Sequence, residues 1–100
     1  MARVELHIYP PLSYRISANR AGKLILEQEI GRGETLGDVL ARLVKCDHEA
    51  WRDIFDVQTR QIKPAVIIIL NGKHLSHSVA IQTPLADGDR ISLNFVLAGG

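Results

Sequence analysis

Several things that proteins use for specialised chemistry are scarce in this chain. It has a single cysteine, Cys46, in 100 residues. No disulfide can close within it, and no Cys-x-x-Cys pair exists to hold zinc or exchange electrons. That usage suits a reducing compartment and points to a cytoplasmic location. Aromatic residues make up only 5% of the sequence, which leaves little to stack on nucleic-acid bases. No charge of one sign dominates: 12 Lys and Arg against 11 Asp and Glu give a net charge of +1. With no basic block either, neither nucleic acid nor an anionic membrane is expected as a partner. Long hydrophobic runs are missing too. The longest, Ala65 to Leu70, falls far short of the ~20 residues a spanning helix needs. The opening "MARVELHIYP" carries charge where a secretory leader requires an apolar segment. The length fits one domain spanning 1–100 with one modest core.

What is present alternates in a readable way. Val4, Leu6 and Ile8 interleave with Arg3, Glu5 and His7, the period of a half-buried strand. Pro10-Pro11 stops it, and the polar stretch to Gly22 reads as a wide hairpin loop. Leu24, Leu26 and Ile30 share one face of a second strand, with Gln28 interrupting the apolar side. Thr35 and Asp38 are spaced as a capping box. Leu36, Val39, Leu40, Leu43 and Val44 then form one helical stripe. Trp51, Ile54 and Phe55 suggest a continuation or a second short helix after a break near Asp47.

"AVIIIL" (65–70) is short and β-branched and reads as a buried strand. Asn71-Gly72 signals a type I′ hairpin. A weak strand or extended segment is expected from Lys73 to Ile81. "ADGDR" (86–90) is a tight turn, and Ile91, Leu93 and Phe95 alternate through a last strand. The order implies an α+β domain, a mixed sheet of four to five strands packed on one main helix. Both faces of 65–70 are apolar, so one of them either lies under the 10–23 segment or joins an exposed patch of the kind that marks a partner surface.

Few side chains in the interior of the sequence suggest chemistry. Gly31, Gly33 and Gly37 give G-x-G-x-x-x-G, one residue too long for the dinucleotide fingerprint; strand exit, turn and cap explain them. His74 and His77 bring no thiolate or carboxylate with them locally, so no metal site is expected. Cys46 ends a helical stripe, where the helix dipole disfavours a thiolate. No G-x-S-x-G is present. The chain is therefore expected to be no enzyme, with no bound cofactor.

The end of the chain is unusual: "FVLAGG", Phe95 to Gly100. Taken with the strand order, the "ILNGK" hairpin and the "LADGDRISL" turn and strand, it resembles the MoaD/ThiS-type sulfur carriers. These are ubiquitin-like β-grasp proteins, whose last strand lies centrally and parallel to the first. The resemblance implies that the Gly100 carboxylate is adenylated, with ATP, by a separate E1-like adenylating enzyme. A sulfurtransferase or persulfide system then converts it to a thiocarboxylate, and a sulfur-accepting synthase subunit takes the sulfur for cofactor biosynthesis. It also implies a flexible tail over 97–100, with Leu97, Ala98 and Gly99 lying in the partner's channel and Phe95 and Val96 on the partner surface. Phe95 could equally complete the core.

Physical chemistry agrees with that implication. A terminal carboxylate, with a pKa near 3.5, is ionised and a poor electrophile until adenylation supplies a leaving group. Gly99 and Gly100 carry no Cβ, so the backbone can thread a narrow channel. Extended at ~3.3 Å per residue, Leu97 to Gly100 span roughly 13 Å. The pathway stays open. "VLAGG" looks like the thiazole-pathway carrier, whereas the 10–23 and 47–62 segments look like the small subunit of molybdopterin synthase, the type favoured here. Prolines typical of that subunit before its terminal segment are replaced by Phe95 and Val96. The alternative is a ubiquitin-like modifier or binding module using the same Gly-Gly tail.

Overall fold

The computed structural model describes residues 2–16 and 22–95. Strands β1 (Ala2–Ile8), β2 (Leu24–Ile30), β5 (Val66–Leu70), β6 (Lys73–Leu75) and β7 (Arg90–Phe95) form one mixed sheet in the order β2-β1-β7-β5-β6. β7 runs parallel to β1, with Leu6 opposite Ile91 and Ile8 opposite Leu93. It runs antiparallel to β5, with Ile68 also opposite Leu93. The last strand is thus central, as the sequence resemblance implied. Burying one face of these strands creates the core: Val4, Leu6, Ile8, Val66, Ile68, Ile91 and Leu93 are all almost completely enclosed.

The main helix, α2 (Leu36–Cys46), covers that face with Leu36, Val39, Leu40, Leu43 and Val44. Its start is the expected capping box: Asp38 N–H donates to Thr35 Oγ1 at 3.2 Å, and Thr35 N–H donates to Asp38 Oδ2 at 3.0 Å. Those backbone contacts, Thr35 first, hold the Asp38 carboxyl below its ordinary value. Asp47 closes α2 and caps α3 (His48–Trp51), accepting from Ala50 N–H at 3.2 Å. The break expected near Asp47 is therefore one residue serving two helices. A small hairpin of β3 (Phe55–Asp56) and β4 (Gln61–Ile62) follows.

Two segments differ from expectation. The stretch after Pro11 is not all loop: α1 (Leu12–Ile16) forms there, with Leu12 and Ser13 buried. Ser13 N–H donates to Tyr9 O at 3.1 Å, and its hydroxyl donates to Gly22 O at 2.8 Å, so the polar residues satisfy local backbone groups. α1 packs beside α3 and β7, and residues 17–21 of the same segment lie outside the described residues. The other correction lies beyond the hairpin, where extended structure stops at Leu75 and α4 (His77–Gln82) begins. The β-branched Val79 and Ile81 weaken helix propensity, but packing against α2 prevails. Gly37 makes this possible, since a Cβ there would lie 2.8 Å from Ile81 Cγ2. A glycine that resembled part of a failed nucleotide loop is a close helix-packing contact.

Candidate functional site

β7 has two dissimilar ends. At its start, the turn carrying Gly88 (φ 87°) meets the 71–72 hairpin turn, where Asn71 (φ 50°) and Gly72 (φ 83°) take the positive angles of a type I′ turn. Asn71 Nδ2 donates to Asp89 Oδ1 and Asn71 Oδ1 accepts from Arg90 N–H, both at 2.9 Å. Gly88 N–H donates to Arg3 O at 2.8 Å, and Arg3 N–H to Asp87 Oδ1 at 2.8 Å. This end is tied to β1 and β5 by side chains as well as by the ladder.

At its other end β7 is flanked by the close of β1 and the opening of β5. Tyr9 N–H donates to Leu93 O at 3.1 Å, and Phe95 pairs with Val66. Lys23 sits 5.3 Å above the Tyr9 ring, a cation placed close to the strand's exit. Phe95 is partly buried and packs against the core. Val96, Leu97, Ala98, Gly99 and Gly100 lie outside the described residues.

The sheet face away from α2 is the surface beside that exit. Register places Ile25, His7, Ser92, Ile69 and His74 in one row across all five strands. Ile25 is 49% exposed, and Ile67 and Ile69 are half-buried. The second apolar face of residues 65–70 therefore joins a patch on the outer surface, mixed with polar groups. His7 lies buried within the row, one strand in from the β2 edge, its Nε2 donating to Glu5 Oε1 at 2.9 Å. That bond is the foremost cause of a Glu5 carboxyl held below its ordinary value, with Arg90 contributing. Sequence reading passed over His7 because a histidine at a polar position of an alternating strand looks merely solvated. Only the strand pairing reveals its enclosed setting.

The other candidates do not converge. His77 hydrogen-bonds to Val66 O while His74 is exposed on β6, so the two serve different surroundings. Cys46 is exposed at the end of α2. Among the described residues, no three His, Cys, Asp or Glu side chains gather as a metal site would require. Among the same residues, no helix is long and apolar enough to cross a membrane.

Comparison with known proteins fits this architecture. The chain is similar in structure to SAMP1 from Haloferax volcanii (TM-score 0.74, 18% identity, covering 99% of this chain and all, 100%, of that one). It is also similar to small archaeal modifier protein 1 from Methanosarcina acetivorans (TM-score 0.70, 24% identity, covering 100% and 98%). At such identities the likeness establishes the ubiquitin-like β-grasp fold. Direct sequence comparison with curated proteins finds no match. The ThiS family profile, by contrast, matches residues 18–100. With that match spanning most of the chain and a central last strand leading toward Gly-Gly, this protein belongs to the ThiS family.

Proposed function

We propose that this protein is a sulfur carrier, a cosubstrate on which other proteins act. An E1-like enzyme joins the Gly100 carboxylate to AMP from ATP, releasing pyrophosphate. The persulfide sulfur of a sulfurtransferase then attacks the adenylate and AMP leaves; a thiol reduces the resulting acyl disulfide, leaving as a disulfide itself, and the thiocarboxylate passes its sulfur to a synthase subunit. The observation that carries this reading is that the ThiS match runs through to Gly100 on a fold whose last strand is central. ATP belongs to the activating partner. Leu97, Ala98 and Gly99 occupy that partner's channel. Phe95, Val96 and the outer face with Ile25, Ile67 and Ile69 meet its surface. The chemistry is placed in the cytoplasm. The 10–23 and 47–62 segments support molybdopterin synthesis, with this chain as the small subunit of a synthase-like complex; "VLAGG" keeps thiazole synthesis as the second pathway.

Incubating the protein with its cognate adenylating enzyme, ATP and a sulfur source tests the reading by intact mass. One carboxyl oxygen at Gly100 is expected to be replaced by sulfur, and a variant extended by one residue is expected to gain none. An unchanged mass in the natural protein rejects sulfur transfer. A second reading, protein modification, draws on the name of the Methanosarcina acetivorans neighbour, a small archaeal modifier protein. Isopeptide conjugates joining Gly100 to lysines of other proteins would favour it, since fold alone is common to both.

A further inference from the structure

The turn end of the sheet uses an asparagine side chain in a way the hairpin itself does not require. A type I′ turn needs positive φ at two positions, and Asn71 and Gly72 meet that with their backbones. Yet the Asn71 carboxamide is engaged at both heteroatoms, by Asp89 Oδ1 and by Arg90 N–H, each at 2.9 Å. The backbone adds a third tie, Asn71 N–H to Arg90 O at 2.8 Å. The other Asp89 oxygen accepts Ala86 N–H at 2.8 Å and is committed to its own turn.

Asparagine followed by glycine is also the pair most prone to one hydrolytic reaction. The amide nitrogen of the following residue loses its proton and attacks the side-chain carbonyl carbon. A C–N bond forms, ammonia leaves, and a five-membered succinimide results. Water then opens that ring at either carbonyl, giving aspartate or isoaspartate. The sum consumes water, releases ammonia and involves no oxidation. Glycine offers no side chain to obstruct the attack. The sequence contains one Asn-Gly pair, this one, and both residues are exposed. Asn94 precedes the bulky Phe95 and lacks that access.

We propose that Asn71 is a hydrolytic deamidation site which the fold guards. The bonds to Asp89 and Arg90 hold its carboxamide away from the Gly72 nitrogen, and reaction proceeds only from conformations in which the two turns have parted. To bring the carbonyl carbon to that nitrogen, the carboxamide must leave both partners together. The product cannot return to the old arrangement. An aspartate would set a carboxylate against the Asp89 carboxylate where a donor had been, and like charges disfavour that contact. An isoaspartate would lengthen the main chain inside a two-residue turn. Modification thus adds a negative charge and leaves the turns unlatched, at the end of β7 remote from Phe95.

The full chain, held at mildly alkaline pH, is followed at Asn71 by peptide mapping. A synthetic peptide of residues 66–76 supplies the same sequence without the clamp. Because two side-chain hydrogen bonds must break, one of them to a charged acceptor, the folded chain should react slower by roughly tenfold or more. Asp89→Ala should recover most of that difference. Sub-denaturing urea should raise the rate in step with hydrogen exchange of the Arg90 amide, a measurement that does not depend on the variant folding. Reaction of the folded chain at the peptide's rate overturns the proposal. So does protection that neither Asp89→Ala nor urea alters, since the guard would then lie outside the clamp.

Discussion

The two ends of β7 are held by different means. At Arg90, side chains from two turns reinforce the ladder, and each bond joins residues far apart in sequence. At Phe95, among the described residues, backbone pairing to Val66, the Tyr9 contact to Leu93 and packing of the ring hold the strand. The difference suggests a division of labour. A strand latched firmly where it enters, and running through the middle of the sheet, fixes the position of Phe95 at its other end. No side-chain clamp is then needed at the exit, the end at which the proposed activating enzyme would gain access. Register between the latch and the exit comes from the apolar middle of the strand.

That middle offers the largest test of the comparison. Leu93 faces Ile8 on one side and Ile68 on the other, and is fully buried. Leu93→Ala should lower unfolding free energy by about 2–5 kcal/mol, read from urea denaturation. A much smaller loss would mean that the strand is held by its ends and not by its core. The latch itself should matter less. Asn71→Ala removes two partly solvated hydrogen bonds and puts a Cβ-bearing residue without a polar side chain at φ 50°. A cost of about 1–2 kcal/mol is expected, with faster exchange at Arg90 and little change at Phe95. Equal acceleration at both residues would break the distinction between the ends.

The sequence exposed these features unevenly. Period-two alternation located β1, β2 and β7, and the 3.6-residue stripe with Thr35 and Asp38 located α2, because each element buries one face and shows the other to water. Asn71-Gly72 and Asp87-Gly88-Asp89 revealed their turns through local backbone demands. α1 and α4 escaped for the opposite reason. They are single short helices whose stability comes from what they touch, such as Ile81 against Gly37, and no five- or six-residue window carries that information. The Asn71–Asp89 bond and the enclosed His7 were likewise hidden, since each requires knowing which strands are neighbours. The tail chemistry was suggested by "AGG" in the context of the preceding strand, while the outer face beside the exit became definite only with the strand order.

The smallest expected effect is electrostatic, and it separates the latch from the helix start. Asp38, Glu5 and Asp56 all have carboxyls held below their ordinary values, Asp38 chiefly by Thr35, Glu5 by His7, and Asp56 by the Gln58 and Thr59 amides. A carboxyl whose folded pKa is depressed binds its proton more weakly in the folded state than in the unfolded one. Its contribution is therefore present above the unfolded value and disappears as pH falls through the lower folded value. For Asp38 the loss begins around its ordinary 3.8 and continues below it. Its carboxyl is partly open to solvent, beside Arg60 at 3.2 Å, so screening keeps the effect small. Asp38→Asn should flatten this part of the acid limb of a pH-dependent urea series while leaving exchange at Arg90 unchanged. If Arg90 instead exchanged faster in that variant, the helix start and the latch would be one cooperative unit, and the contrast between the ends of β7 would have to be redrawn to include α2.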